Sequence, residues 1–306
     1  MPIKIPNNLP ATSVLTSEEV FVMTEDRALK QDIRPLKLLM LNLMPNKINT
    51  EIQYLRKLSN SPLQVNIRFL RIDNHISKNT PQEHLDTFYS DFDEIENKYF
   101  DGMIITGAPL DQIDFSDVTY WSRLEHIIKW SAEHVTSTLF SCWGVAAGLK
   151  VFYNLDMDFR DNKLSGVFFQ KTNKTNDPLV RGFDDFFLAP FSRFIDFPAQ
   201  KISESTNLTI LAEGEKSGVY LAVSPDRKQV YITGHPEYDG DTLAQEYQRD
   251  LVAGKNPAIP ENYFPCNNPA IAPSCTWRSH SSMLFGNWLN YYVYQLTPYE
   301  FEEEKN

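Results

Sequence analysis

Cysteine is scarce in this chain, which has three among 306 residues. Cys142, Cys266 and Cys275 are odd in number and show no C-x-x-C spacing. That pattern argues against a disulfide framework and against a structural zinc site. The sequence also has no H-E-x-x-H motif and no Cys/His cluster, so we expect no metal site.

Long apolar runs and a surplus of positive charge are also missing. No stretch approaches about 18 uninterrupted apolar residues, and residues 1–4 do not begin the apolar stretch of a signal peptide. We therefore expect a cytoplasmic protein. The 29 basic and 40 acidic residues give a formal charge of -11. Such a surface should repel nucleic acid and anionic membranes, so neither is expected as a partner.

Apolar residues are plentiful enough for a packed core, at 42% of the chain with 13% aromatic. No internal repeat, low-complexity tract or Gly/Ser linker divides the sequence. We predict an N-terminal arm over residues 1–34, packed on the main domain. A single α/β catalytic domain should cover residues 35–297, followed by a C-terminal tail over residues 298–306.

Apolar patterns predict strands that alternate with helices. Strands are predicted at 35–44, 63–72, 103–105, 135–141, 208–211, 219–223 and 230–233. Helices are predicted at 48–58, around 124–128, and at 143–153, 242–253 and 280–296. This order predicts a mostly parallel sheet with helices on both faces, and antiparallel strands added after residue 208. In such sheets the chemistry lies at the carboxyl ends of the strands, where Gly107, Cys142 and His235 are expected.

Cys142 lies where a predicted strand turns at once into a helix. This is the thiol form of the nucleophile elbow, in which a sharp turn lifts the side chain above the sheet. Gly144 and Gly148 would let the turn and the helix pack closely. The backbone N–H of Trp143 and the positive end of the helix dipole would face the sulfur, favouring a thiolate and supplying one oxyanion donor. A buried core cysteine is the alternative interpretation of this position.

His235 and Glu237 are two residues apart at the end of another predicted strand. Residues at i and i+2 of an extended chain point to the same side, so Glu237 is predicted to hold the His235 imidazole as it accepts a proton. Such pairs are otherwise structural or bind metal. The turn at residues 106–110 is predicted to give a second oxyanion N–H near Leu110, although it has the pattern of an ordinary β–α turn.

The elbow cysteine and the later Gly-His-Pro-Glu at residues 234–237 resemble the class I glutamine amidotransferase-like (flavodoxin-like) fold. Glutamine-hydrolysing members have Gly two residues before the nucleophile and Gln four residues after it. This chain has Phe140 and Ala146 at those positions. Glutamine hydrolysis is therefore not expected.

A closer resemblance, nearly end to end, is to the homoserine O-acyltransferase (transsuccinylase/transacetylase) family of methionine biosynthesis. The matching stretches are 21–24, 31–37, 41–45, 101–109, 163–167, 181–185, 233–239, 277–280 and 287–295. The resemblance implies an acyl-CoA co-substrate, no cofactor, a homodimer, and transfer of the acyl group to the hydroxyl of L-homoserine. It also implies that Cys142 is acylated, that His235 is the general base and that Glu237 orients it.

Three further positions match family contacts to the amino-acid substrate: Lys163, Ser192 and Arg249. A carboxylate substrate needs such cations, although Lys163 and Arg249 read alone would be surface charges. The family commonly has His before Ser192, and Phe191 in its place is expected to reshape the acceptor pocket. Lys47 is a candidate for the CoA nucleotide site because it follows the first strand.

Position 111 carries the expectation about the donor. In the resembling family Gly here accompanies succinyl-CoA and Glu accompanies acetyl-CoA, and this chain has Asp111. A fixed carboxylate beside the acyl pocket would repel the free carboxylate of a succinyl group, so acetyl-CoA is the expected donor. A loop Asp that faces water is the alternative. The competing functions are transfer from succinyl-CoA, transfer to serine, and a non-catalytic binding member of the fold.

Overall fold

Strands and helices alternate along most of the computed structural model, which describes residues 3–6, 8–18, 22–24, 34–72 and 79–298. The strands are β1 (Ile3–Ile5), β2 (Val22–Thr24), β3 (Leu36–Leu41), β4 (Val65–Leu70), β5 (Tyr89–Ser90), β6 (Phe100–Ile105), β7 (Val135–Ser141), β8 (Asp158–Thr172), β9 (Phe186–Asp196), β10 (Thr209–Gly214), β11 (Gly218–Val223) and β12 (Gln229–Ile232). The α-helices are α1 (Ala11–Ser17), α2 (Lys47–Leu58), α3 (Gln82–Phe88), α4 (Trp121–His134), α5 (Trp143–Tyr153), α6 (Ala199–Ser205), α7 (Thr242–Val252) and α8 (Arg278–Asn287).

All described strands belong to one sheet in the order β2-β1-β4-β3-β6-β7-β12-β11-β10-β8-β9, with β5 beside β4. Along this sheet order, every pair of neighbouring strands from β2 to β12 is parallel. From β12 to β9 every pair is antiparallel. The predicted mostly parallel α/β sheet with added antiparallel strands is confirmed.

Both faces of the sheet are covered by apolar side chains from helices. Along β3, Leu38 and Met40 join one core cluster, which includes residues of α2 and α8. Leu39 and Leu41 join the other, which includes residues of α4 and α5. Because neighbouring strand residues point to opposite faces, this division shows a sheet buried on both sides. The predicted placement of helices on both faces is confirmed.

Three neighbouring parallel strands, β6, β7 and β12, end at the same edge of the sheet. Gly107 follows the end of β6, Cys142 follows β7 directly, and His235 comes shortly after β12. The predicted gathering of these three residues at the carboxyl ends is confirmed.

Gly144 allows the first turn of α5 to lie directly against the end of β6. A Cβ atom at this position would stand 2.9 Å from the carbonyl oxygens of both Ile105 and Thr106. Contacts this short with backbone oxygen cannot be relieved by moving a flexible side chain. Glycine is therefore required for the close approach that brings Cys142 beside the neighbouring strand end.

The long antiparallel pair β8–β9 was not predicted from the sequence. The first half of β8 is polar and largely exposed, so it lacks the alternation that marks a half-buried strand. Pairing with β9 over most of its length forms it instead. This missed pair carries Lys163 and Ser192.

Two other predictions need correction. β12 was expected among the added antiparallel strands, but it pairs in parallel with β7 as well as antiparallel with β11. The last helix was expected to run over residues 280–296, but α8 ends at Asn287 and a π-helix follows at Trp288–Tyr294. The wider turn buries Trp288, Leu289, Tyr292 and Val293.

Part of the predicted N-terminal arm extends the sheet, because β1 pairs in parallel with both β2 and β4. The predicted tail beyond residue 298 and the family-like stretch at residues 31–33 lie outside the described residues. The division into arm, domain and tail stays a prediction. None of the helices in the described ranges is long and apolar enough to cross a membrane.

Candidate active site

Cys142 occupies the sharp turn between β7 and α5. Its backbone has φ 50° and ψ −115°, a conformation that non-glycine residues rarely adopt and that stores strain. The turn is fixed because the Cys142 N–H donates to the carbonyl of Ile232 at 2.9 Å, and the Val145 N–H donates to the Cys142 carbonyl at 3.0 Å. The predicted elbow geometry is confirmed. The Cys142 side chain is buried.

His235 and Glu237 form the predicted contact. The distance between His235 Nδ1 and Glu237 Oε1 is 2.7 Å, and both side chains are buried. The predicted reason was wrong, because the pair lies in a turn after β12 rather than in extended chain. The Tyr238 N–H closes this turn on the His235 carbonyl at 3.1 Å, and the His235 N–H donates to Pro190 at 2.9 Å.

Gly107 lies between the sulfur and the imidazole. A Cβ atom at this position would stand 3.7 Å from both the Cys142 Sγ and the His235 Cε1. Both groups therefore face one small space, which glycine leaves open. Since the Nδ1 side of His235 is taken by Glu237, the imidazole is held with its other edge available on the side that it shares with Cys142.

The electrostatics of this pair favour a charged imidazole. Burial acts to lower the pKa of His235, but the negative charges of Cys142 and Glu237 outweigh it and raise the pKa well above the ordinary 6.5. The imidazolium form therefore persists above that pH. A positively charged imidazole therefore faces the small space at Gly107 that it shares with the Cys142 sulfur.

The two predicted oxyanion donors are the backbone N–H of Trp143, directly after Cys142, and that of Leu110, in the turn after β6. Trp143 is the first residue of α5, and the first N–H groups of a helix have no acceptor within it. Its indole is fully buried in the core cluster that includes α4 and α5, so only the backbone is available. Leu110 is half-buried in the turn that follows Gly107. Their role stays a prediction.

Lys163 and Ser192 meet on one carboxylate, that of Glu246 on α7. Lys163 Nζ lies 3.1 Å from Glu246 Oε2, and the Ser192 hydroxyl donates to the same oxygen. The Tyr238 hydroxyl donates to Glu246 Oε1 at 2.7 Å. Burial opposes ionisation of Glu246, but Lys163, the two hydroxyls and His235 outweigh it and lower its pKa. Glu246 is therefore an anion in the centre of this cluster.

Sequence reasoning missed Glu246, although one signal pointed to it. Glu246 precedes Arg249 by three residues, and residues three apart on a helix are neighbours on its surface. The Arg249 side chain is 62% exposed and pairs with Asp250 at 3.0 Å. Arg249 therefore faces solvent, whereas Glu246, on the same helix, is largely buried. A cavity of about 410 Å³ borders Lys163, Glu246 and Asp250, which is ample for a small amino acid.

Asp111 is anchored to the strand that carries Ser192. Its Oδ2 accepts the backbone N–H of Phe194 at 2.7 Å, and the residue is half-buried. This is not the loop carboxylate free in water that the alternative interpretation required. A negative charge is fixed beside β9, two residues from Ser192.

Phe191 does not border the acceptor cluster. The side chain is fully buried, packed edge-on against Phe168 and Tyr220. Because it is adjacent to Ser192 on a strand, it points to the opposite face. The expectation that it reshapes the acceptor pocket directly was wrong, since it fills the core beneath the strand.

Arg193 is a second residue that the sequence did not reveal. It is fully buried, its guanidinium donates to the carbonyls of Ile195 and Ser217, and it lies over the rings of Phe191 and Phe197 at 5.4 and 5.0 Å. Burial lowers its pKa to about 10, with Cys142 acting in the opposite direction. A cation that remains charged at neutral pH is thus buried within electrostatic range of the sulfur.

Lys47, a candidate for nucleotide binding, is buried at the start of α2. Its ammonium donates to the carbonyl of Asn42, and it lies 3.4 Å from that of Met44. Burial lowers its pKa to about 8, partly offset by Glu51. It is therefore not the exposed cation expected to meet a nucleotide phosphate.

Solved structures with the same fold place the chain in a broad class first. It is similar to a glutamine amidotransferase from Thermotoga maritima, with a TM-score of 0.56 and 13% identity over 84% of this chain and 98% of the other. It is also similar to a glutamine amidotransferase from Methylobacillus flagellatus, with a TM-score of 0.52 and 12% identity over 85% of this chain and 95% of the other. These likenesses show the class I glutamine amidotransferase-like fold.

Sequence comparisons then give the family. The family model described as homoserine O-succinyltransferase matches residues 2–299. A homoserine O-acetyltransferase from Succinatimonas hippei is 70% identical over 98% of this chain and 100% of its own length. A homoserine O-succinyltransferase from Tolumonas auensis is 59% identical over 99% of this chain and 96% of its own length. The chain belongs to the homoserine O-succinyltransferase family.

Changing Glu237 to Gln should lower the reactivity of Cys142. The variant removes a negative charge that raises the pKa of His235 above 6.5, so less imidazolium faces the sulfur at neutral pH. We expect alkylation of Cys142 by iodoacetamide to slow by about tenfold at neutral pH, and by much less near pH 5.5, where histidine ordinarily holds its proton. Peptide mapping by mass spectrometry measures the rate. Exposed Cys266 in the same sample is the internal control, and an unchanged ratio of the two rates would contradict this account.

Proposed function

We propose that this homoserine O-acyltransferase takes its acyl group from acetyl-CoA and carries it as a thioester on Cys142. The observation that carries the proposal is the elbow thiol beside a buried imidazole, which is itself held at 2.7 Å by Glu237. A thiol activated by a base, with the base held by an acid, is the arrangement that nucleophilic acyl transfer needs. Lys163, Ser192 and Arg249 are the proposed contacts to homoserine. Lys163 and Glu246 line a cavity that fits it, and the Ser192 hydroxyl donates to the Glu246 carboxylate.

In the first half-reaction the Cys142 thiolate attacks the carbonyl carbon of acetyl-CoA. The developing oxyanion is held by backbone N–H groups, proposed to be those of Trp143 and of Leu110 or Asp111. The C–S bond to CoA breaks, and the CoA sulfur takes the proton of the His235 imidazolium. One thioester replaces another, so this step is close to balanced in free energy. The products are acetyl-Cys142, free CoA and neutral His235.

In the second half-reaction homoserine occupies the acceptor site. Neutral His235 removes the proton of its hydroxyl as the oxygen attacks the acetyl carbon on Cys142. The C–S bond breaks, giving O-acetylhomoserine and the starting pair of thiolate and imidazolium. Arg249 is proposed to receive the substrate carboxylate, since its side chain is largely exposed and guanidinium binds carboxylate well.

Asp111 supports acetyl rather than succinyl as the transferred group. Its carboxylate is fixed by the Phe194 N–H at 2.7 Å, so it cannot turn away freely from a second carboxylate. Two such charges roughly 4 Å apart, at an effective dielectric of about 20, repel by about 4 kcal/mol. The 70% identical relative from Succinatimonas hippei, named homoserine O-acetyltransferase, supports the same donor.

Succinyl-CoA is the second candidate donor. The matching family model and the 56–59% identical relatives from Tolumonas, Yersinia and Vibrio are named for O-succinyl transfer. Asp is also shorter than Glu by one methylene, which leaves more room in the acyl pocket. Serine as acceptor and a non-catalytic role are further alternatives. A homodimer, a cytoplasmic location and the absence of a cofactor stay predictions.

Steady-state kinetics test the two half-reactions. Because CoA leaves before homoserine reacts, we expect double-reciprocal plots of the initial rate to be parallel when homoserine is varied at several fixed acetyl-CoA concentrations. We also expect exchange of labelled CoA into acetyl-CoA without any homoserine. Lines that intersect, together with no exchange, would contradict the thioester mechanism.

Changing Asp111 to Asn tests the donor. The amide oxygen can still accept the Phe194 N–H, so the loop stays anchored while the charge is lost. We expect the ratio of kcat/KM for succinyl-CoA to that for acetyl-CoA to rise by at least about tenfold. Asp114→Asn is the matched control, since Asp114 is exposed in the same loop and its side chain caps nothing. A wild-type preference for succinyl-CoA, or an equal shift in both variants, would overturn the acetyl proposal.

A further inference from the structure

Tyr238 touches both parts of the proposed site. Its ring is stacked on the His235 imidazole with centroids 4.1 Å apart and planes 17° apart. Its hydroxyl donates to Glu246 Oε1 at 2.7 Å. One buried side chain therefore connects the proposed base with the carboxylate that holds Lys163 and Ser192.

The position of Tyr238 is also fixed by contacts other than the ring stacking and the hydrogen bond to Glu246. Its backbone N–H donates to His235, and its carbonyl accepts the indole N–H of Trp277 at 3.0 Å. The ring is buried in a small apolar cluster whose members include Val167, Leu243, Tyr263, Phe264 and Trp277. A phenol held this firmly presents its face to His235 and its hydroxyl to Glu246 without free rotation.

The two contacts serve different steps. The stacked ring supports the imidazole, which takes part in both half-reactions. The hydroxyl donates to Glu246, which together with Lys163 borders the cavity proposed for homoserine. In the two-step reaction proposed above, Cys142 is acylated before homoserine reacts, so the cavity proposed for homoserine is needed only in the second half-reaction.

We propose that Tyr238 is a positioning residue whose hydroxyl acts only in the second half-reaction, by holding Glu246, and with it Lys163 and Ser192, in register with His235. This inference rests on the two-step function proposed above. Without the hydroxyl, Oε1 of a carboxylate that is largely buried loses its donor. The cluster can then relax away from the base, and homoserine is held less well for attack.

Tyr238→Phe separates the two contacts, because it keeps the ring and removes the hydroxyl. We expect the burst of CoA release on mixing enzyme with acetyl-CoA alone to keep its rate within about twofold. We expect kcat/KM for homoserine to fall by about tenfold or more, as for loss of a hydrogen bond to a charged group. We expect a comparable fall in kcat/KM for homoserine in Glu246→Gln. In the double variant, kcat/KM should fall by much less than the product of the two single effects, because both substitutions remove the same interaction.

Tyr263→Phe is the matched control. The Tyr263 hydroxyl also secures α7, through the Gly240 carbonyl at 2.7 Å and the Ala244 N–H at 3.1 Å, but it contacts neither His235 nor Glu246. This variant should match the wild type in both half-reactions, and thermal unfolding checks that all variants are folded. An equal loss in both half-reactions of Tyr238→Phe, no loss in either, or the same loss in Tyr263→Phe would overturn the inference. If the wild type gives no CoA burst, it is the two-step function that fails.

Discussion

The parallel pairing of β6, β7 and β12 is the constraint on which the site depends. Parallel neighbours end at the same edge of a sheet, so three stretches far apart in sequence meet within a few ångströms. β6 brings Gly107, β7 brings Cys142, and β12 brings the turn that holds His235. The strained backbone of Cys142, at φ 50°, persists because hydrogen bonds from both neighbouring segments over-determine it.

Charge in this region is organised in layers, although the chain as a whole is acidic. His235, whose pKa is raised, shares the space at Gly107 with the sulfur, and the buried Arg193 is a cation on which Cys142 acts electrostatically. Beyond His235 lies the anionic Glu246, held by Lys163 and two hydroxyls. An amino acid brings both charges, so a site for it needs paired cations and anions rather than a single sign. Asp111 adds a carboxylate beside β9, held by the backbone N–H of Phe194.

Local patterns in the sequence predicted the sheet core and the proposed reactive residues. β3 and the end of β6 are short apolar runs, and the abrupt change from strand to helix at Cys142 is visible without coordinates. The hairpin β8–β9 was missed because its first strand is polar and depends on its partner. The π-helix at Trp288–Tyr294 was missed because four aromatic residues in seven fit a helix of either width.

The acceptor side of the site was the least predictable part. Tyr238, in the turn after β12, is connected to the site by its contact with Glu246 on α7. The spacing of Glu246 from Arg249 was one signal in the sequence, but its contact with Ser192 on β9 appears only in the fold. Arg193 was equally unpredictable, since a charged residue on a strand is ordinarily expected to be exposed. Its burial depends on two aromatic rings and two backbone carbonyls that surround the guanidinium in the fold. Phe191 shows the opposite case. Its neighbour Ser192 faces Glu246, whereas the Phe191 side chain points into the core.

The central claim is that the acyl group passes through Cys142, and the mass of the protein after brief mixing with acetyl-CoA alone tests it most directly. The account predicts one added acetyl group, located on the Cys142 peptide, that disappears when homoserine is added and is absent from His235→Asn under the same conditions. An unmodified Cys142 in a protein that still forms product, or an adduct on Cys266 or Cys275 instead, would contradict it.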